Sequence, residues 1–298
     1  MEHKRIYSTD EIKSILTELA AEYDKTSGEP LTVLIVGGSA AIFQFDFKED
    51  TKDIDIILKK ASPIFDECKQ IISNRFGVFF DELLFEVREK NPAHFEKIIL
   101  EETFPLDINF KKLSFRVANK KMLFGSGLNW FRRYKHHVSN ILSMLVEERK
   151  KGNPLTANDL ENYFEELYAG YVSLSNEVKK FLKTLDSCPD LQKLRRLYLL
   201  EENYQIEMYD RMKFLLRVRK NVTDNKIIHD ILWDSRNWKS FEDIKRTFDT
   251  YEIKMSERAI ANIERCIFPF VYDLPCEEFL STPEEVLQKR QHNQLKLI

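Results

Sequence analysis

The chain has 298 residues, 43% hydrophobic and 12% aromatic, with a formal net charge of −3. That length and apolar content suit two domains with substantial cores, and the near-neutral charge excludes both an acidic disordered chain and a globally basic nucleic-acid binder. There is no apolar signal-peptide centre and no run of about eighteen apolar residues, so a soluble, cytoplasmic protein with no membrane partner is expected.

In chain order, Ser8 and Glu11 make a capping-box pattern ahead of Ile12, Ile15, Leu16 and Leu19, which share one helical face. LTVLIV (31–36) and IDIIL (54–58) read as strands. Between them SAAIFQF (39–45) reads as a short helix, and PIFDECKQIISNRF (63–76) as a helix after them. FPLDINF (104–110) alternates like a further strand. From Leu128 the pattern turns helical: residues 128–150, then 156–170 with Thr156 as N-cap, then several more helices with 218–226 as a connection. Seven of the eight glycines fall by residue 152, as expected where turn-rich α/β structure gives way to helices. The expected fold is α/β (α+β): a small mixed-sheet domain with flanking helices over 1–125, followed by an all-helical domain over 126–298.

Cys68, Cys188, Cys266 and Cys276 are far apart with no CxxC pair. Neither a zinc site nor a disulfide framework is indicated, and reduced thiols are expected.

The chemistry concentrates in VGGSAAIFQFDFKEDTKDIDIIL, residues 36–58. Strand residues two apart share a face, so Asp53 and Asp55 project together while Ile54 and Ile56 project oppositely. Adjacent carboxylates repel unless a cation lies between them, and oxygen ligands of this kind suit Mg²⁺, which completes its shell with water and substrate phosphates. Gly37 and Gly38 let the backbone approach a phosphate, and a helix opening at Ser39 aims free N–H groups at it.

VGGS followed by TKDIDIIL about fourteen residues later resembles the signature of the DNA polymerase β-like nucleotidyltransferase superfamily. Within it the chain is most similar to the bacterial abortive-infection, type IV toxin nucleotidyltransferases. The resemblance covers roughly residues 31 to 170 and implies a third carboxylate on a later strand. PLDINF offers Asp107 for that role, with Asp81 or Glu82 in VFFDELLF competing. It also implies a lysine on a following helix, Lys135 here, and a later Lys-Asp pair, where this chain has Asn158-Asp159.

What the resemblance implies is two-metal transfer of an NMP from an NTP to an acceptor hydroxyl. Asp53, Asp55 and Asp107 would hold two Mg²⁺ ions, with Asp107 helping to deprotonate the acceptor. Gly37, Gly38, Ser39, Thr51 and Lys135 would serve the NTP, Thr51 by fixing the turn into the strand. A toxin role would imply a cognate antitoxin as partner. The alternative is a catalytically silent module of this kind that binds nucleotide or a protein.

From residue 108 to 146 there is no Asp or Glu, while Lys111, Lys112, Arg116, Lys120, Lys121, Arg132, Arg133 and Lys135 all occur there. Such a zone suits a polyanion, and Lys111, Lys112, Lys120, Lys121, Arg132 and Arg133 are the residues expected to track a tRNA acceptor. A protein hydroxyl or a small molecule stays open as acceptor. His136 and His137 are adjacent on a helix, point about 100° apart and have no evident third ligand, so a metal role is not expected of them.

Overall fold

The computed structural model describes residues 6–83, 85–129, 136–235, 238 and 240–267. The chain is mixed α/β and divides into two units: Met1–Asn129 with Glu147–Ser175, and Trp130–Val146 with Asn176–Ile298.

The first unit opens with a two-residue strand β1 (Tyr7–Ser8) and helix α1 (Thr9–Asp24). Ser8 accepts the Glu11 N–H while the Glu11 carboxylate accepts the Ser8 N–H, the reciprocal cap that the sequence predicts. Strand β2 (Leu31–Ile35) leads into α2 (Gly37–Ala41), the two-residue β3 (Asp50–Thr51) and then β4 (Asp53–Leu58). Helix α3 (Pro63–Phe76) starts with Ser62 capping Phe65 N–H and stops at Gly77, whose φ of 68° supplies the left-handed cap. Then come β5 (Phe79–Glu82), α4 (Glu86–Lys90), α5 (Pro92–Glu101), β6 (Thr103–Pro105), β7 (Leu113–Ala118) and α6 (Lys120–Asn129).

The main sheet runs β5-β4-β2-β7-β6. β2 pairs antiparallel with β4 and parallel with β7, β4 pairs parallel with β5, and β6 pairs antiparallel with β7. β1 pairs separately with β3. Side-chain parity sorts β4: Ile54 and Ile56 are fully buried on one face, where Glu82 of β5 meets Lys69 of α3. Asp53 and Asp55 take the other face, where α2 lies against β4.

Two expectations about this unit need correction. The strand expected over 104–110 is only Thr103–Pro105, and the chain then turns, with Ile108 N–H bonding Leu106 O. The long strand of this region is β7, whose Leu113, Phe115 and Val117 are buried while Ser114 is exposed. Helicity also begins at Lys120 rather than at Leu128. α6 packs on helix α8 (Ala157–Tyr168), and a Cβ at Gly125 would lie 2.9 Å from the Tyr163 carbonyl. Gly125, which weakens the helical pattern of this segment, is thus a residue that lets the two helices approach.

Helix α7 (His137–Lys150) contributes its residues up to Val146 to the second unit and those from Glu147 to the first. The second unit continues with α9 (Asn176–Ser187), α10 (Leu191–Phe214) closed by a π-helical turn at Leu215–Arg219, α11 (Asn225–Asp234), α12 (Phe241–Thr250) and α13 (Glu257–Ile267). Buried Glu202 on α10 accepts the Val138 and Ser139 N–H groups, satisfying donors that the start of α7 leaves open. Among the described residues no helix is long and apolar enough to cross a membrane, and Cys68 and Cys188 are free and buried.

Candidate metal centre

Asp53 and Asp55 stand two apart on β4, and the parallel register sets Asp81 of β5 directly beside Asp55. Each of the three offers a carboxylate oxygen, and these oxygens lie within 4.8 Å of one another. Asp55 is buried, with 8% of its surface exposed, while Asp53 and Asp81 are half-buried. An all-oxygen, all-anionic donor set of this size fits a hard cation such as Mg²⁺ and not a thiophilic metal.

The glycine turn is built around Asp55. Gly37 has φ +55°, and a Cβ there would lie 2.4 Å from Asp55 Oδ2, so a side chain would meet both backbone strain and the carboxylate. Gly38 N–H donates to that same oxygen at 2.9 Å. The carboxylate is therefore aimed by the backbone of the preceding loop.

Ser39 departs from its expected role. Its side chain is fully buried, its hydroxyl donates to Val36 O at 3.0 Å, and it accepts the Asp55 N–H at 2.8 Å. It stitches α2 to β4 and has no face toward a phosphate. Thr51 does fix the entry to β4, donating to Asp53 O at 3.1 Å from a buried position.

Asp107, expected as the third carboxylate, lies elsewhere. It is exposed in the turn after β6, where Asn109 donates to it, and β7 and β2 stand between β6 and β4. At about 4.8 Å per strand this is roughly 14 Å from β4. Asp81 takes its place, while Glu82 points to the opposite face and pairs with Lys69. The misassignment follows from the strand: alternation around Asp107 looks extended, but the chain turns immediately after Pro105.

Several cations of the expected polyanion track have partners within the chain. Lys111 and Lys112 donate their backbone N–H groups to Asp24, and the Lys112 ammonium bonds Thr26 O. Lys120 pairs with buried Glu148 at 2.6 Å, and Lys121 pairs with both Glu102 and Glu166. Arg116 donates to Ile99 O, Thr103 O and the Thr103 hydroxyl. Arg132, Arg133 and Lys135 lie outside the described residues. Asp159 of the Asn158-Asp159 pair forms a capping box with Thr156, whose hydrogen bonds hold its carboxyl below the usual range.

One residue beside the centre escapes a reading of the sequence. Lys48 sits half-buried in the loop between α2 and β3, its Nζ 3.4 Å from where a Gly38 Cβ would be. Burial pushes its ammonium down from the ordinary lysine value, against the opposing pull of Asp55, Asp53 and Asp50. The loop is pinned by Glu147, which accepts the Asp46 and Phe47 N–H groups at 3.1 Å each. No local signal marks Lys48, because the residue that sets its loop is a hundred positions away.

Compared with protein-family models, curated proteins and solved structures, the chain finds no match.

Proposed function

We propose that the first unit carries a Mg²⁺-dependent nucleotidyltransferase site that moves an NMP from an NTP to an acceptor hydroxyl. The observation that supports this reading is the gathering of Asp53, Asp55 and Asp81 from two adjacent parallel strands beside a left-handed glycine turn. Bound there, Mg²⁺ would neutralise charge on the transferred phosphoryl group and on departing pyrophosphate.

The protein's own groups define the rest. Asp55, held by Gly38 N–H, is the fixed ligand, and Asp53 and Asp81 flank it from a half-exposed position. Asp81 takes over the role expected of Asp107, drawing the proton from the acceptor hydroxyl. Gly37 keeps a side chain off the Asp55 carboxylate, so the triphosphate can approach the backbone of the turn closely. Lys112, Lys120 and Lys121, each bound to other groups of the chain, are left out of the acceptor site.

The test is transfer of label from α-labelled NTPs, with Mg²⁺ and with cellular RNA or protein as acceptor. Asp53→Asn and Asp55→Asn are expected to reduce transfer to background while the protein stays folded. Transfer at the parent rate by either variant would refute the assignment, and metal-dependent nucleotide binding without any turnover would favour a silent binding module.

A further inference from the structure

Lys48 stands at the rim of three carboxylates without joining them. Among the described residues its side chain makes no hydrogen bond and no ion pair within 4.0 Å. Yet it is half-buried, and its charge feels Asp55, Asp53 and Asp50. A partly desolvated ammonium loses hydration, and a lysine in this position normally recovers it through a direct partner. Lys48 recovers only through-space attraction.

The surroundings keep the ammonium where it is. Its Nζ and Cε lie 3.4 and 3.5 Å from the point where a Gly38 side chain would begin, beside the Thr51 hydroxyl. A Cβ at Gly38 would rest in ordinary van der Waals contact with it. Phe45, just upstream in the same loop, is buried and packs edge-on against Phe124. Glu147 fixes the backbone of Asp46 and Phe47 immediately before it.

Accepting the metal centre proposed above, on which this step rests, we infer that Lys48 is a substrate-binding residue that holds a non-bridging phosphate oxygen of the NTP. A divalent cation between the three aspartates would cut their charge from −3 to −1. The ammonium would then lose most of the attraction that offsets its burial, and an anionic phosphate lying over Gly38 would restore it. Lys48 thus opposes the metal alone and favours the metal together with a polyphosphate. A lysine serving only as counter-charge to the aspartates would oppose the metal in the same way but would do nothing for nucleotide.

That difference sets the experiment. Mn²⁺ binding alone, and then binding of each common ribonucleoside triphosphate with Mg²⁺, are measured on the full chain and on Lys48→Met, Lys48→Gln and Lys48→Arg. The neutral variants are expected to bind Mn²⁺ as tightly or more tightly, while nucleotide binding weakens about ten- to hundredfold, the loss of one charge-assisted hydrogen bond. Lys48→Arg should recover most of the nucleotide affinity. Parent-like nucleotide affinity in both neutral variants would overturn the assignment of Lys48 and leave the metal centre standing. A parent protein that binds neither Mn²⁺ nor nucleotide would overturn both.

Discussion

At the β5 edge of the sheet, Asp53, Asp55 and Asp81 are brought together by strand register and a glycine turn, whereas the charges at the β6 edge are each taken up by opposite charges or neutral hydrogen-bonding groups of the chain. There Lys121 lies between Glu102 and Glu166, Arg116 is absorbed by Thr103 and Ile99, and Asp107 accepts from Asn109 in an exposed turn. Alternating charge at a surface is near neutral in free energy and needs no ligand. Like charge gathered on neighbouring strands is unfavourable by itself, since such pairs directly opposite one another destabilise a sheet. The backbone therefore has to enforce it, and here it does so through Gly37, Gly38 and the buried Ser39.

The largest expected effect separates the two edges directly. Asp81→Asn should abolish the rise in melting temperature on adding Mn²⁺, because one of three ligands is gone. Asp107→Asn should keep the full rise. Without metal, Asp81→Asn should melt slightly higher than the parent, by roughly 0.2–1 kcal/mol, since it removes a like-charged cross-strand pair. Thermal melts of the two variants with and without Mn²⁺ decide it, and equal metal responses would dissolve the distinction.

The β5 edge was half legible in the sequence. Asp53 and Asp55 declare themselves by spacing, and Gly37 by the turn that must precede the helix. Asp81 stands in the sequence as a competing candidate, but Phe79 and Phe80 are both apolar, so only the register with β4 shows that Asp81 and not Glu82 shares the face of Asp55. Four residues of strand leave too short a period to outweigh the longer alternation around Asp107. The alternation of Leu113, Phe115 and Val117 carries β7, but Lys111, Lys112 and Arg116 in and beside it give the segment the texture of a basic zone. Sequence also shows that basic residues cluster between 108 and 146 without showing where their partners lie. Glu148 and Glu166 come from helices that fold back on them. Lys48 depends on Glu147 in the same way, and such long-range pairs have no local pattern.

Gly37→Ala should have the next largest effect. An Ala at φ +55° meets strain of roughly 1–2 kcal/mol. Its Cβ would also fall 2.4 Å from Asp55 Oδ2, forcing the carboxylate or the turn to move. Together a loss of about 2–4 kcal/mol is expected. Gly152 provides the control, with φ +86° and nothing within 4 Å of its Cβ position. Gly152→Ala should show strain alone, with Mn²⁺ binding unchanged. Denaturant titration of both variants checks this, and equal losses would mean that the close approach to Asp55 contributes nothing.

The smallest effect concerns the loop that carries Lys48, and it has a defined pH dependence. Burial pushes the Glu147 carboxyl up, but the Lys151 hydrogen bond and the Asp46 and Phe47 amides outweigh it and hold the group below its ordinary value of 4.5. A carboxyl depressed in the folded state stabilises the fold above its unfolded value, and that stability is lost as pH falls through the folded one. Glu147→Gln should therefore cost about 1 kcal/mol at pH 7, modest because the amide oxygen can still accept one of the two N–H groups. The gap between parent and variant should hold from pH 7 to about pH 5, narrow below the ordinary glutamate value and close in stronger acid. Because the same contacts hold the backbone just before Lys48, nucleotide affinity should weaken with Mn²⁺ affinity unchanged. Chemical denaturation across this pH range, with nucleotide binding measured at pH 7, checks both parts. A gap that stays constant through pH 4 would show that the Glu147 charge is not what pins the loop.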